Sequence, residues 1–522
     1  MERIRDLHRE NVPSCVKRNL NLSHDNITKE DYELNKIRRF LKRLGVVRYP
    51  LVAILYLSLL STGYNIFSKS QNNISIVCAS ETIESDITTK KVPTKEETKS
   101  INGLYDNKLK LNNDTLVVMI DFNNSACKGT EKEWHDLVFE DMNNYYFNVT
   151  EGQQSYIPTH ETYGIEDDGV IRVKLNENLS NIQDTSEARL QFTKKELKEA
   201  IKLASYYIDL KQYGKYKIDS DDLTLIFVVG NVDCDNNYCY DFRDFACSFT
   251  EETVEDGVGL YHYDSNNPKC RYAVVKDSRN LSSRRNGLAL QNMGILAHEV
   301  GHTKGMEDEY DESQKTSPVD VISLEASGCF VVDPMGQGHP SQPDALNLML
   351  IGAIKPEVYD IGQEQESKIF TLRSLDSREG NHNALLIKNG NDDEFFLIYN
   401  MQLKGVNNTV SRYLNPKARG GIIIEHYCAK GNKDSNTGNG VRKIDVEEAN
   451  ESVLGYSAFD TNSITKNPFY TKDKISKFES DTVASNSNFY GNDNNQTQRT
   501  GIVVKVLDNS QDDMRVNVYV EK

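Results

Sequence analysis

The spacing of apolar positions changes along this chain, and each change predicts an element. Leu116 to Ile120 is an unbroken apolar run inside Thr115–Phe122, bounded by Asn. Such a run between turn formers predicts a buried strand. Leu223–Val229 and Tyr272–Val275 repeat the pattern. Ile171–Leu175 alternates apolar with polar and predicts a further strand. Phe139 to Phe147, with Tyr145 and Tyr146, reads as a helix entering the core. Thr193 and Glu196 are spaced as a capping box, and Leu197, Ala200, Ile201, Ala204 and Ile208 then recur at helical spacing. That is an amphipathic packing helix. Another helix is expected from about Gly287 to Thr303, and a short one after Ala345 that ends near Gly352.

From Glu357 onward the pattern becomes a series of short alternating runs: Phe370–Leu375, Ala384–Lys388, Phe395–Gln402, Gly421–Tyr427, Ile502–Leu507 and Val516–Val520. Strands separated by Asn, Gly and Asp loops predict an all-β sandwich. The expected class is α+β: a mixed sheet with helices over residues 111–355, then a sandwich-like β-rich domain over 356–522 that braces it.

The N-terminal part follows a different rule. Residues 1–45 are polar, and Lys36, Arg38, Arg39, Lys42, Arg43 and Arg48 form a basic flank without an acid. Leu51 to Phe67 contains no charge, and with Val46 and Val47 it is long enough to span a bilayer. The basic flank is expected to stay in the cytoplasm. The reading is a cytoplasmic tail (1–45), a transmembrane signal-anchor (46–67) and a single-pass type II protein whose larger part is extracellular or lumenal. A cleaved secretory signal is the competing reading, and it makes the protein secreted. Residues 68–110 have no apolar period and read as a stalk or pro-segment.

Composition narrows the picture. The formal net charge of −17 argues against nucleic acid as a partner. Cys15 precedes the apolar segment, and an even set follows it: Cys78, Cys127, Cys234, Cys239, Cys247, Cys270, Cys329 and Cys428. An even set beyond the membrane suits disulfides in an oxidising compartment, with Cys234, Cys239, Cys247 and Cys270 expected to staple one region. Cys78 is alternatively a latency thiolate. Sequons begin at Asn73, Asn113, Asn123, Asn148, Asn178, Asn280, Asn407, Asn450 and Asn495, and a glycosylated protein would carry them on exposed loops.

The chemistry concentrates in residues 298–311, His-Glu-Val-Gly-His-Thr-Lys-Gly-Met-Glu-Asp-Glu-Tyr-Asp. On a helix, residues four apart share a face, so His298 and His302 can reach one metal ion. Glu299 is placed to act as general base on a metal-bound water. A catalytic zinc takes three protein ligands and keeps one position open. Gly305 can end the helix at positive φ and fold the chain back, which makes Asp308 the preferred third ligand. Glu307, Glu309 and Asp311 compete with it, and Glu325, arriving from a second helix, is the runner-up. Tyr310 is a candidate transition-state donor, against a structural role in an acidic loop, and His339 is another.

This run resembles the active-site signature of the immune-inhibitor-A family of secreted metallopeptidases. It is also similar to that of gametolysin-type peptidases, which usually carry His at the third-ligand position. Both are metzincins. Residues 115–122 taken with 143–156 resemble the opening of their catalytic domains, and the likeness runs from about residue 115 to about 427. The resemblance implies a metzincin-like catalytic domain over 111–355, with a Met-turn under the imidazoles. Asp333, Pro334, Met335 and Gly336 fit that turn, since Pro and Gly bracket the Met; Met349 is the substitute. It also implies an edge strand that pairs with substrate, either Leu260–His262 or Tyr272–Val275. The activity it implies is zinc-dependent endopeptidase hydrolysis of protein or peptide substrates, with one catalytic Zn2+. The alternatives are an inactive metallopeptidase-like adhesion or receptor ectodomain, and a hydrolase acting on a non-peptide bond. Retention of Glu299 argues against the inactive ectodomain, because a merely structural metal needs no base.

Overall fold

The structure, a computed structural model, describes residues 109 and 111–521, less 180–190, 214–222, 231–244, 248–251, 255–257, 262–271, 278–291, 312–315, 335–337, 364–365, 377–383, 391, 416, 432–441, 452–465, 481–486 and 491–496. The expected tail, signal-anchor and Met335 lie outside the described residues, as does the stalk apart from Leu109, which packs against the first core. Among the described residues no helix is long and apolar enough to cross a membrane.

The first sheet is built on β1 (Asn113–Asp121), which pairs in parallel along one side with β2 (Tyr156–Pro158) and β3 (Val170–Lys174), and along the other with β4 (Thr224–Gly230). Then come β5 (Phe245–Cys247), a separate hairpin of β6 (Glu252–Val254) and β7 (Val258–Tyr261), and β8 (Tyr272–Asp277). β8 runs parallel to β4 and antiparallel to β5. This corrects one expectation. Tyr272–Val275 cannot pair with a substrate strand, because β4 and β5 occupy both of its edges. The expected alternative falls partly on β7, outside this sheet. Among the described residues β5 is the edge on that side.

The period of two explains why the runs are apolar throughout. Val117, Met119, Ile226, Val228, Ala273 and Val275 enter one core, and Leu116, Val118, Ile120, Leu225, Phe227, Val229 and Val274 enter another on the opposite face. Each fully buried side chain of this size contributes about 1.5–3 kcal/mol. That exceeds the roughly 1 kcal/mol range of strand propensity, so two-sided burial fixes these strands.

Helices cover both faces. α1 (Glu131–His135) starts at Thr130, whose Oγ1 accepts from Glu133 N at 3.2 Å while Thr130 N donates to Glu133 Oε2 at 2.9 Å. This is a reciprocal cap. A π-helical stretch, Asp136–Met142, leads into α2 (Asn143–Val149). Trp134, Leu137, Met142, Tyr145 and Tyr146 bury into the first core. On the other face, a π-helical stretch Thr193–Leu197 leads into α3 (Lys198–Ala204), and Leu197, Ala200, Ile201, Ala204 and Ile208 are all buried in the second core. α4 (Asn292–Lys304) and α5 (Ala345–Leu350) return to the first core.

The later strands are β9 (Glu357–Asp360), β10 (Lys368–Arg373), β11 (Ala384–Lys388), β12 (Glu394–Gln402), β13 (Gly420–Cys428), β14 (Ile444–Val446), β15 (Lys477–Phe478), β16 (Phe489–Tyr490), β17 (Thr497–Gln498), β18 (Ile502–Val506) and β19 (Asp513–Val520). They form one sheet in the order β14-β13-β12-β11-β9 and another in the order β10-β19-β18-β15. Between them lies a third core, with Leu385, Phe396, Ile398, Ile424, Val504 and Val516. The alternation of β12 has a second use. Phe395, Leu397, Tyr399 and Met401 point away from that core and join the first one, beside Leu346 and Met349 of α5.

Two sequence expectations meet different surroundings. Cys127, Cys329 and Cys428 are free and buried; the staple expected of Cys234, Cys239, Cys247 and Cys270 falls outside the described side chains. The sequon residues Asn113 and Asn407 are buried, not on exposed loops. Asn113 Nδ2 donates to Ser155 O at 2.7 Å and Asn407 Oδ1 accepts from Gln342 N at 3.1 Å, which leaves no room for a glycan at either.

Candidate metal centre

α4 carries His298, Glu299 and His302, and buries Met293, Leu296, Ala297 and Val300 in the first core. The helix stops by a Schellman motif. Gly305 has φ +98°, its N donates to His302 O at 3.0 Å, and Met306 N donates to Gly301 O at 3.2 Å. The chain therefore turns back over the helix end and brings Asp308 to the imidazoles.

The Nε2 atoms of His298 and His302 are 3.3 Å apart, and Asp308 Oδ1 lies 3.3 Å from the first and 3.2 Å from the second. A tetrahedral zinc with bonds of about 2.0–2.1 Å holds its ligand atoms roughly 3.3–3.4 Å apart. The triangle fits that requirement. Glu325 is the fourth group near it: His298, His302, Asp308 and Glu325 each offer an atom within 4.8 Å of the others, the one such set among the described residues. Glu325 does not arrive from a helix. It sits on an irregular segment between short 3-10 turns, Asp320–Ile322 and Ser327–Phe330.

The competing acids have other partners. Glu307 pairs with Lys443, and its backbone is held by Asn347, which accepts from Glu307 N at 2.8 Å and donates to Glu307 O at 3.2 Å. Asp311 Oδ2 accepts from Thr316 N and Oγ1, each at 2.9 Å. Glu309 is buried, and burial together with the charges of Asp344 and Glu425 holds its carboxyl well above the usual range. Asp308 is only partly exposed, with 40% of its side chain accessible, so the set opens to solvent on its side while the carboxylate stays partly desolvated. Tyr310 donates to Asp308 Oδ2 at 3.1 Å, and its ring lies 6.4 Å from that of His298. Tyr310 therefore anchors the carboxylate in this structure. His339 Nδ1 lies 3.5 Å from Thr409 Oγ1. Met349 is buried in α5.

The imidazoles are oriented from behind. His302 Nδ1 is 2.9 Å from Met306 O, while His298 Nδ1 is 3.3 Å from Leu324 O and 2.9 Å from Glu325 Oε2. Burial alone would lower both histidine pKa values. The charges of Glu325 and Asp308 outweigh it, raising His302 to about 10 and His298 well above its ordinary value. Burial likewise works to raise Asp308, but His302 and His298 hold its carboxyl far below the usual range. A metal binding here must displace the imidazole protons. Burial, then the charge of Asp308, raises the Tyr310 phenol, and Glu299 adds to that push. Glu299 is itself buried.

Glu325 was legible as a candidate only in outline. Its sequence signal is a lone acid between Leu324 and Ala326. Such an acid needs a partner once buried.

No protein-family model matches the sequence, and no curated protein matches it. Solved structures of OgpA from Akkermansia muciniphila are distantly similar. One is a catalytically inactive form in complex with an O-glycopeptide (glycodrosocin) substrate: 10% identical, spanning 61% of this chain and 90% of that one, with a TM-score of 0.27. A wild-type OgpA structure is 10% identical over 61% and 91%, again at 0.27. A likeness this slight transfers neither fold nor activity.

Proposed function

We propose that this chain is a zinc-dependent endopeptidase in which His298, His302 and Asp308 hold one Zn2+ and Glu299 is the general base. The observation that carries the reading is the triangle of two Nε2 atoms and one carboxylate oxygen, spaced 3.2–3.3 Å, with Glu299 next to His298 on the same helix. When bound, the metal supplies a Lewis acid and an acidified water. The chain's residues do the rest. Met306 O orients His302, and Tyr310 holds Asp308 through Oδ2, leaving Oδ1 for the centre. Glu299 accepts the proton of the attacking water and passes it to the leaving amine. The choice of a peptide bond rests on the resemblance of residues 298–311. The proposed substrates are extracellular or lumenal proteins or peptides, a location that rests on the apolar segment at 46–67 and its basic flank.

The test is metal content and cleavage of a generic unfolded protein by the full chain in detergent, wild type beside Glu299→Ala. One equivalent of zinc in both is expected, with the variant's cleavage rate down by about 10²–10⁴-fold. Zinc in both with cleavage in neither would favour the inactive ectodomain. No zinc in the folded wild type would end the reading.

A further inference from the structure

Glu325 has an assignment of its own. It is fully buried, and neither carboxylate oxygen has a hydrogen-bond partner that meets ordinary geometry. Of its two histidine contacts the shorter is to His298 Nδ1, 2.9 Å from Oε2. That nitrogen is not the one in the triangle. The triangle uses His298 Nε2, and Glu325 Oε2 lies 3.6 Å from the other triangle nitrogen, His302 Nε2. A ligand would sit evenly on the two Nε2 atoms, as Asp308 does. Leu324 O, 3.3 Å from Nδ1, holds the plane of the ring, and the Glu325 carboxylate beside Nδ1 favours that tautomer by its charge and makes Nε2 a stronger donor.

Glu325 also works through its backbone. Glu325 O accepts from Glu309 N at 3.0 Å, one residue beyond Asp308. Glu325 N donates to Ser323 Oγ at 3.2 Å, which fixes the residue from the other side. The same residue thus joins the ring of one triangle corner to the loop that carries another. His302 has only a carbonyl, Met306 O, behind its Nδ1. The two imidazoles are therefore unequal, with the charged support given to His298.

We infer that Glu325 is a positioning residue for the metal centre, acting through His298 Nδ1, and is not a ligand. The inference rests on the metal-centre reading above, and its readout is metal binding rather than turnover. Glu325→Gln, Glu325→Asp and Glu325→Ala in the full chain are titrated with zinc against a competing chelator. The visible spectrum of each Co2+-loaded protein is recorded beside wild type and Asp308→Asn. Glu325→Gln is expected to keep one equivalent of metal at roughly 10–100-fold weaker affinity, with the Co2+ band pattern of wild type. Glu325→Asp, which keeps the charge on a shorter arm, is expected to recover part of that loss. Asp308→Asn is expected to change the Co2+ spectrum.

Two outcomes would overturn the assignment. A changed Co2+ coordination in Glu325→Gln, with Asp308→Asn like wild type, would make Glu325 the ligand. Zinc affinity within about twofold of wild type in all three Glu325 variants, against the usual support from behind a ligand, would make it inert. A wild type that binds one zinc but cleaves nothing would remove the peptidase reading and leave these metal readouts standing.

Discussion

Gly301 and Glu325 divide one small volume between them: a Cβ on Gly301 would lie 2.3 Å from Glu325 Oε1. The same Cβ would meet Met306 Sδ at 2.9 Å and Tyr146 Oη at 3.1 Å. The glycine between the two histidines of the motif is thus a vacancy that a buried carboxylate fills.

Gly301→Ala tests that relationship. The methyl group must push Glu325 off His298 Nδ1 or shift α4. Overpacking of this kind typically costs about 1–3 kcal/mol. Denaturant unfolding should give that loss, and zinc affinity should fall along with it. A variant as stable as wild type, with unchanged zinc affinity, would mean that the carboxylate yields freely.

Gly305→Ala addresses Asp308. The residue has φ +98°, where a side chain strains the backbone. The expected loss is about 1–2 kcal/mol in stability. Zinc affinity should drop as well, because the turn carries Asp308 back to the imidazoles. Stability lost with affinity intact would show that the loop is held by Glu309, Glu307 and Asn347 without help from the turn.

The sandwich contains a pH-dependent element of its own. His426 on β13 is buried, with Nε2 at 2.9 Å from Glu394 Oε1 and Nδ1 at 3.2 Å from Glu447 Oε1, and it stacks on Tyr490. Burial works to lower its pKa, but the two carboxylates outweigh it and raise it to about 9. The folded value lies above the ordinary 6.5. The stabilisation is therefore complete below that ordinary value and is lost as pH rises through about 9. Unfolding of the zinc-saturated protein should show stability falling from about pH 7 to about pH 9.5, and His426→Gln should flatten that fall. Equal slopes in the two proteins would assign the fall to other groups.

The sequence revealed what depends on near neighbours. Strands β1, β4 and β8 were readable because burial on both faces leaves no polar position to confuse the period. α3 and its flanks were readable because Leu197, Ala200, Ile201, Ala204 and Ile208 all serve one core. The turn at Gly305 was legible because it depends on one glycine next to a helix. The choice among four acids in one loop was not. It is made by Lys443, Asp344, Glu425 and Thr316, and all but Thr316 come from distant parts of the chain. The pattern predicts a helix at Glu325 that the structure does not form, because residues 319–330 are apolar without being regular. Of the two expected substrate-pairing edges, Tyr272–Val275 lies inside the sheet for the same kind of reason. A strand's apolar pattern reports its faces, and sheet order decides its edges.

β12 faces two cores at once, and this makes the boundary near residue 356 a seam rather than a hinge. A gene fragment ending at residue 355 would strip Phe395, Leu397, Tyr399 and Met401 from α5, exposing Leu346 and Met349 to water. Such a fragment is expected to aggregate on expression. The β-rich half cannot be exchanged between related proteins as a cassette, because whatever replaces it must match an interior surface. Substitutions on the odd-numbered positions of β12 are therefore constrained from the side that holds the metal motif.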